Sequence, residues 1–207
     1  MTQAEQARHK IEGMIIFNEL ESDRMYSESQ IAAKIGIGRT PTREALQRLA
    51  HDNMICIFPR KGVMATTITA DMQLNLLEIR RFLEPQCVQL ATLRGTVEQK
   101  KMMYQLAQKF FLAADHLDEY QVFICLRETH ELLVEAAHNP FFARVLGPLQ
   151  GLSRRFWFCD KETKDTFEGA RLHAAILENT AKGNQNAAVE SCENLLNYLT
   201  DFTFSRL

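Results

Sequence analysis

The sequence predicts a mainly α-helical chain in two parts: three short helices closed by a β-hairpin, then an antiparallel all-helical bundle. Three observations predict it. Apolar residues recur three and four apart almost throughout, which is the helical period. That period gives way to strand-like runs only once, at 55–58 and 63–67, on either side of Pro59-Arg60-Lys61-Gly62, a hairpin signature. Beyond residue 69 the strand signals stop and breaks fall roughly every 20 residues, the spacing of long helices joined by short links. The domains are therefore 1–68 and 69–207.

Residues 3–18 form the first helix, with Ala7, Ile11, Met14 and Ile15 on one face. "SESQIAAKIG" is the second. Ser27 and Gln30 fit a capping box, and Gly36 is placed as its stop. The third begins at "TPTREALQRLAHDN", where Thr40 can cap and Pro41 occupies the first helical position, at which its missing N–H costs nothing. Ala45, Leu46 and Leu49 make its buried stripe. Three helices and a hairpin with short turns compose a winged helix-turn-helix. A helix fits the DNA major groove with its N-terminal residues facing base edges. The exposed N–H groups at that end also favour phosphate. The basic hairpin tip can reach a flanking minor groove.

The second domain reads as six helices at 70–94, 96–115, 118–137, 140–158, 162–182 and 184–206. Thr69 and Thr96 serve as caps, and Gly95, "HNP" at 138–140 and "KGNQ" at 182–185 as breaks. The link "TITAD" is too short to be a free linker, so the domains are coupled.

Charge sharpens the functional reading. The chain carries a formal net charge of −2. Residues 34–62 nevertheless hold Lys34, Arg39, Arg43, Arg48, Arg60 and Lys61 against Glu44 and Asp52, a local net of +4, while 69–207 is net −3. A basic island on an acidic molecule implies a focused anion-binding face, and double-stranded DNA is the natural partner. The five cysteines are scattered with no CxxC pair, which excludes a disulfide scaffold or a zinc knuckle. The polar start "MTQAEQARHK" lacks a signal-peptide core. No apolar run approaches the ~20 residues of a membrane span. The expectation is a cytoplasmic protein with no membrane partner.

"SQIAAKIGIGRTPTREALQRLAHDNMICIFPRKGV" resembles the DNA-binding domain of the GntR family of bacterial transcription regulators. The match runs through Gly36, Arg39, Thr40, Pro41, Thr42, Arg43, Glu44, Ala45 and Leu46, then Arg60, Lys61 and Gly62. "LLEIRRFLEPQCVQLA", "THELLVEAAHNP" and "LHAAILENTAKGNQNAAVESCENL" resemble the effector-binding (FCD) domain of the FadR branch, in its shorter VanR-like version. The resemblance implies that Arg39 and Arg43 read bases. The chemistry agrees, since arginine pairs bidentately with guanine and the i, i+4 spacing puts both on one helical face. Thr40 and Thr42 would hold phosphates, fixing register. Gly62 would let the hairpin tip approach the DNA backbone. Gly38 stands where the family usually has serine, which removes a phosphate contact. The bland reading of Arg39 and Arg43 is surface ion pairing with Glu44 or Asp52.

Sensor domains of this branch commonly hold a divalent metal with one Asp and three His. Carried across, those positions are Leu126, His130, His173 and Leu195. Leucine donates to no metal, and two imidazoles alone do not make a zinc site. No metal cofactor is expected, although Cys192, one turn before Leu195, offers a substitute ligand. His130 and His173 then have two readings: core histidines bonded to each other or to backbone, or cavity residues facing an effector. Arg80 matches an inward-pointing arginine of the family. A buried Arg must be paired, either by a carboxylate effector or by Glu84, one turn on. Arg154 and Arg155 are weaker candidates. The aromatics Phe110, Phe111, Phe123, Phe141, Phe142, Phe156, Trp157 and Phe158 are mostly core. With ligands replaced by leucine, the effector is a carboxylate or a more apolar metabolite.

The resulting expectation is a ligand-responsive regulator, a repressor in most of the family, binding a near-palindromic operator as a homodimer. Two alternatives are an effector-independent architectural DNA binder and an enzyme-like helical domain tethered to DNA. Against the latter, no nucleophile–base set or phosphate loop is present.

Overall fold

A computed structural model describes residues 1–207. The chain forms two compact units: Met1–Thr69 with Gly151–Cys159, and Ala70–Gln150 with Asp160–Leu207.

In the first unit, α1 (Gln3–Ile16) packs on α3 (Arg39–His51), and α2 (Glu28–Ile35) packs against both. Thr2 caps α1 in a reciprocal box with Glu5. Ser27 does the same for α2 with Gln30, and Gly36 ends α2 in the left-handed conformation at φ 66°. The expected apolar faces are buried: Ala7, Ile11, Met14 and Ile15 of α1, and Ala45, Leu46 and Leu49 of α3. The start of α3 differs from expectation. Gly38 is the N-cap and supplies no side-chain hydrogen bond, so Thr40 is not the cap and Pro41 is third in the helix, not first. Pro41 still costs nothing, because the first turn's N–H groups have no intrahelical partner.

Strands β1 (Ile55–Phe58) and β2 (Gly62–Ala65) pair antiparallel, with Ile55 opposite Ala65 and Phe58 opposite Gly62. Tyr26 adds a bridge to Val63, each N–H donating to the other's carbonyl at 2.9 Å. This bridge explains Gly62. Its φ is 123°, and a Cβ there would lie 2.5 Å from the Tyr26 carbonyl oxygen. The close backbone approach that demands glycine is to the protein's own chain, a correction to the expected approach to DNA.

The second unit contains α4 (Ala70–Arg94), α5 (Val97–Asp115), α6 (Glu119–Ala136), the first half of α7 (Pro140–Asp160), α8 (Thr163–Ala181) and α9 (Gln185–Phe204). Thr96 caps α5 as expected, and Asp118 and Asn184 cap α6 and α9. Helix α4 packs on α9, α5 on α6 and α8, and α8 on α9. Phe110 and Phe123 are core, whereas Phe111 and Phe141 are exposed.

The departure with most consequence is α7. Its segment Gly151–Cys159, expected in the second domain, belongs to the first unit. Leu152, Phe156 and Trp157 are buried, and Phe158 stacks edge-on against Phe17 at 5.6 Å. Arg154 donates to Glu12 Oε1 at 2.5 Å, and Arg155 donates to Ser22 Oγ at 2.8 Å and to the Met54 carbonyl at 3.4 Å. Both arginines are therefore held by the first unit and are not effector ligands. Burial keeps the Arg155 guanidinium below its usual pKa, opposed by the nearby Cys159. A helical period says where a helix lies, but not which body buries its face. No helix is long and apolar enough to cross a membrane.

Candidate nucleic-acid interface and sensor cavity

The first turn of α3 presents Arg39, Thr40 and Arg43 to solvent. Arg39 is the first helical residue, so the helix N-terminus and its unpaired N–H groups lie beside it. Arg43 Nε donates to Glu28 Oε2 at 2.9 Å, pairing with α2 and not with Glu44 or Asp52. The contact uses Nε and leaves the two terminal amino groups for a base edge. Asp52 pairs with Arg8 instead. At the hairpin tip Arg60 and Lys61 are exposed, with Arg60 in the left-handed region at φ 64°. Thr42 needs correction. It is 0% exposed, and its hydroxyl donates to the Gly38 carbonyl at 2.9 Å. A buried hydroxyl closing the first turn of its own helix cannot hold a phosphate.

In the second unit, Arg80 is 2% exposed. Its Nε and Nη2 donate to Glu84 Oε1 and Oε2 at 2.9 and 3.1 Å. Glu84, one of the two partners open to it in the sequence, is thus bonded to it twice. Gln150 of α7 donates a further bond to Glu84 Oε1 at 2.7 Å. Beside this group lies a cavity of about 20 Å³, room for about one water. Both His130 and His173 line it, but Arg80 does not; Thr129, Leu146, Gln150, Cys192 and Leu195 are among the other walls. The two imidazole centroids are 5.7 Å apart. His173 Nδ1 lies 2.7 Å from the Gly169 carbonyl. A carbonyl only accepts, so Nδ1 carries the hydrogen. His173 thus lines the cavity and is bonded to backbone.

Gln150 and Glu28 are the residues that sequence reasoning missed. Gln150 left a faint signal, a lone amide in the apolar run "VLGPLQGL". Glu28 left none.

The metal set implied by the resemblance does not fit these residues. Leu126 and Leu195 are buried, and no three His, Cys, Asp or Glu side chains are grouped to hold an ion. Cys192 does not complete a set with the histidines. Burial, reinforced by Glu84, raises its thiol well above the ordinary pKa, and likewise pushes Cys87 up to about 12. Stripping the protein with EDTA is expected to leave Tm and DNA binding unchanged; a fall in Tm reversed by zinc would show a bound ion.

Comparison with known proteins agrees with this architecture. Residues 3–64 match the model for bacterial regulatory proteins of the gntR family, and residues 75–198 match the FCD domain. The chain is 29% identical over 168 residues to the Nta operon transcriptional regulator of Aminobacter aminovorans, covering 78% of this chain and 77% of that protein. It is 25% identical over 187 residues to the fatty acid metabolism regulator protein of Haemophilus influenzae, covering 79% and 74%. The solved structure of E. coli McbR/YncC shares the fold, with a TM-score of 0.81 at 16% identity over 100% of this chain and 99% of that one. With its helix-turn-helix and FCD models together matching most of its length, the chain belongs to the GntR family of bacterial transcription regulators, in the FadR branch.

Proposed function

We propose that this regulator is a ligand-responsive repressor that binds a near-palindromic operator as a homodimer, with its effector in the helical unit. The observation that carries the DNA half is the exposed, basic first turn of α3, where Arg39 and Arg43 stand one helical turn apart at a helix N-terminus. Arg39 and Arg43 read bases, Thr40 holds a phosphate, and Arg60 and Lys61 contact the flanking backbone. The effector half is supported by the cavity that His130 and His173 line.

One recognition helix offers few base contacts, and a two-fold dimer doubles them. Helix α4 offers a face for that dimer. Met72, Ile79, Phe82 and Leu93 are exposed on one side of it, Phe82 at 76%. A buried charge without a partner is costly, so Phe82→Glu is expected to give a monomer by analytical ultracentrifugation. Its operator affinity should fall at least about tenfold while its circular dichroism is unchanged. A variant that stays dimeric would remove this face from the interface. A monomeric wild-type chain that binds its operator at full affinity would remove the dimer itself.

A further inference from the structure

The chemistry of the cavity narrows what can enter it, and the helix that walls it shows how entry is felt. Glu84 is the only carboxylate on the lining, and no lysine or arginine is there. Glu84 is already neutralised by Arg80 through two hydrogen bonds. An anionic effector would therefore be desolvated beside a carboxylate with no lysine or arginine on the lining to receive it. A cation fares no better, because the Arg80–Glu84 pair has no net charge to offset it. Apart from Thr129, Gln150 and the two histidines, the remaining surface is mostly apolar, with Leu146, Ile176 and Leu195 among the walls. The acceptor that the site offers is Glu84 Oε1.

Glu84 Oε1 is occupied at present by the Gln150 amide. With room for only about one water, a ligand must displace something from the wall. Leu146 and Gln150 stand on the same helix one turn apart, so α7 is the wall whose polar contact a ligand can replace. A hydroxyl or amide N–H of a ligand can replace the amide of Gln150 at Oε1 without leaving the carboxylate short of a donor. The same helix continues as Gly151–Cys159 in the unit that carries the DNA-reading helix.

We infer that the effector is an uncharged, largely apolar small molecule bearing a hydrogen-bond donor, and that it acts by taking the place of Gln150 on Glu84 and so releasing α7. This rests on the proposed reading of the chain as an effector-responsive DNA binder, and it departs from the carboxylate effector that the sequence leaves open.

The test uses shape-matched probes on the full chain: benzyl alcohol against benzoate, and hexanol against hexanoate. Operator DNA is selected by the protein from a random library. At ten times its Kd, a binding probe raises Tm by about 3 °C. The alcohols are expected to do so and to change operator affinity at least about fivefold, and the carboxylates to do neither. Gln150→Leu keeps the wall apolar but cannot donate, so it should shift operator affinity in the alcohol's direction without ligand and respond less to the alcohol. Carboxylates that stabilise the chain and alter operator binding would overturn the inference and leave the regulator reading standing. A Gln150→Leu chain with wild-type affinity and response would overturn the role of α7. If no probe changes Tm or operator affinity, the inference fails; if selected DNA is also bound no tighter than random DNA, the regulator reading fails with it.

Discussion

Arg39→Ala and Arg43→Ala are each expected to abolish discrimination between operator and random DNA while leaving fold and dimer intact. A bidentate arginine–guanine pair contributes about 1–3 kcal/mol. In a two-fold complex each substitution acts in both half-sites, so the loss is about 2–6 kcal/mol, at least roughly thirtyfold in Kd. The fold should not notice. Both side chains are exposed, and the ion pair Arg43 makes with Glu28 lies at the surface, where such pairs are worth about 0–1 kcal/mol. Fluorescence anisotropy at fixed salt on operator and scrambled duplexes separates the roles. Arg60→Ala and Lys61→Ala should weaken both duplexes alike and flatten the salt dependence, as phosphate contacts do. An Arg39→Ala chain that kept wild-type discrimination at equal salt would show that bases are read elsewhere.

Why these two residues stand out in the sequence, and others do not, follows from the kind of signal each leaves. Caps and periods are local. Ser27 with Gln30, Gly36, and Thr96 with Gln99 are legible because a helix end must satisfy its N–H groups within three residues. Local rules fail where two nearby residues compete for one task. Thr40 and Gly38 can both begin α3, and the backbone placed the cap at Gly38, which turned Thr42 inward. Glycine is a further case. The need for Gly62 is visible in the sequence, but the partner that crowds it, Tyr26, lies 36 residues earlier and only the folded chain brings it there. The sensor site is the least legible part. Two leucines where a metal set would need an Asp and a His are plain to read, yet they say only what is missing. Beside the cavity lies a buried Arg80–Glu84–Gln150 group, whose third member lies on a helix that no periodicity links to the first two.

Glu12→Leu alone is expected to destabilise the chain far more than Glu12→Leu combined with Arg154→Met. Glu12 on α1 is 2% exposed and Arg154 on α7 is 8% exposed, and their contact is 2.5 Å. Taking both charges out of water costs nearly as much as their attraction returns, so replacing the pair with apolar side chains of similar volume is close to neutral. Removing only the carboxylate takes the ion-pair partner from a buried guanidinium, at a cost of about 3–5 kcal/mol. For a chain of this size that lowers Tm by roughly 6–20 °C. Denaturant melts of the two single variants and the double close the cycle, and the coupling should be large, because the residues are in contact. A Glu12→Leu chain within about 1 kcal/mol of wild type would show that water reaches Arg154. The pair thus adds little to stability over an apolar pair, and the role it would supply is register. An apolar patch would let the end of α7 slide on α1 in small steps, whereas a charged contact this short has one geometry. If α7 carries the state of the cavity, the double variant should fold and bind operator with its response to an effector blunted, and that outcome separates a contact kept for signalling from one kept for stability.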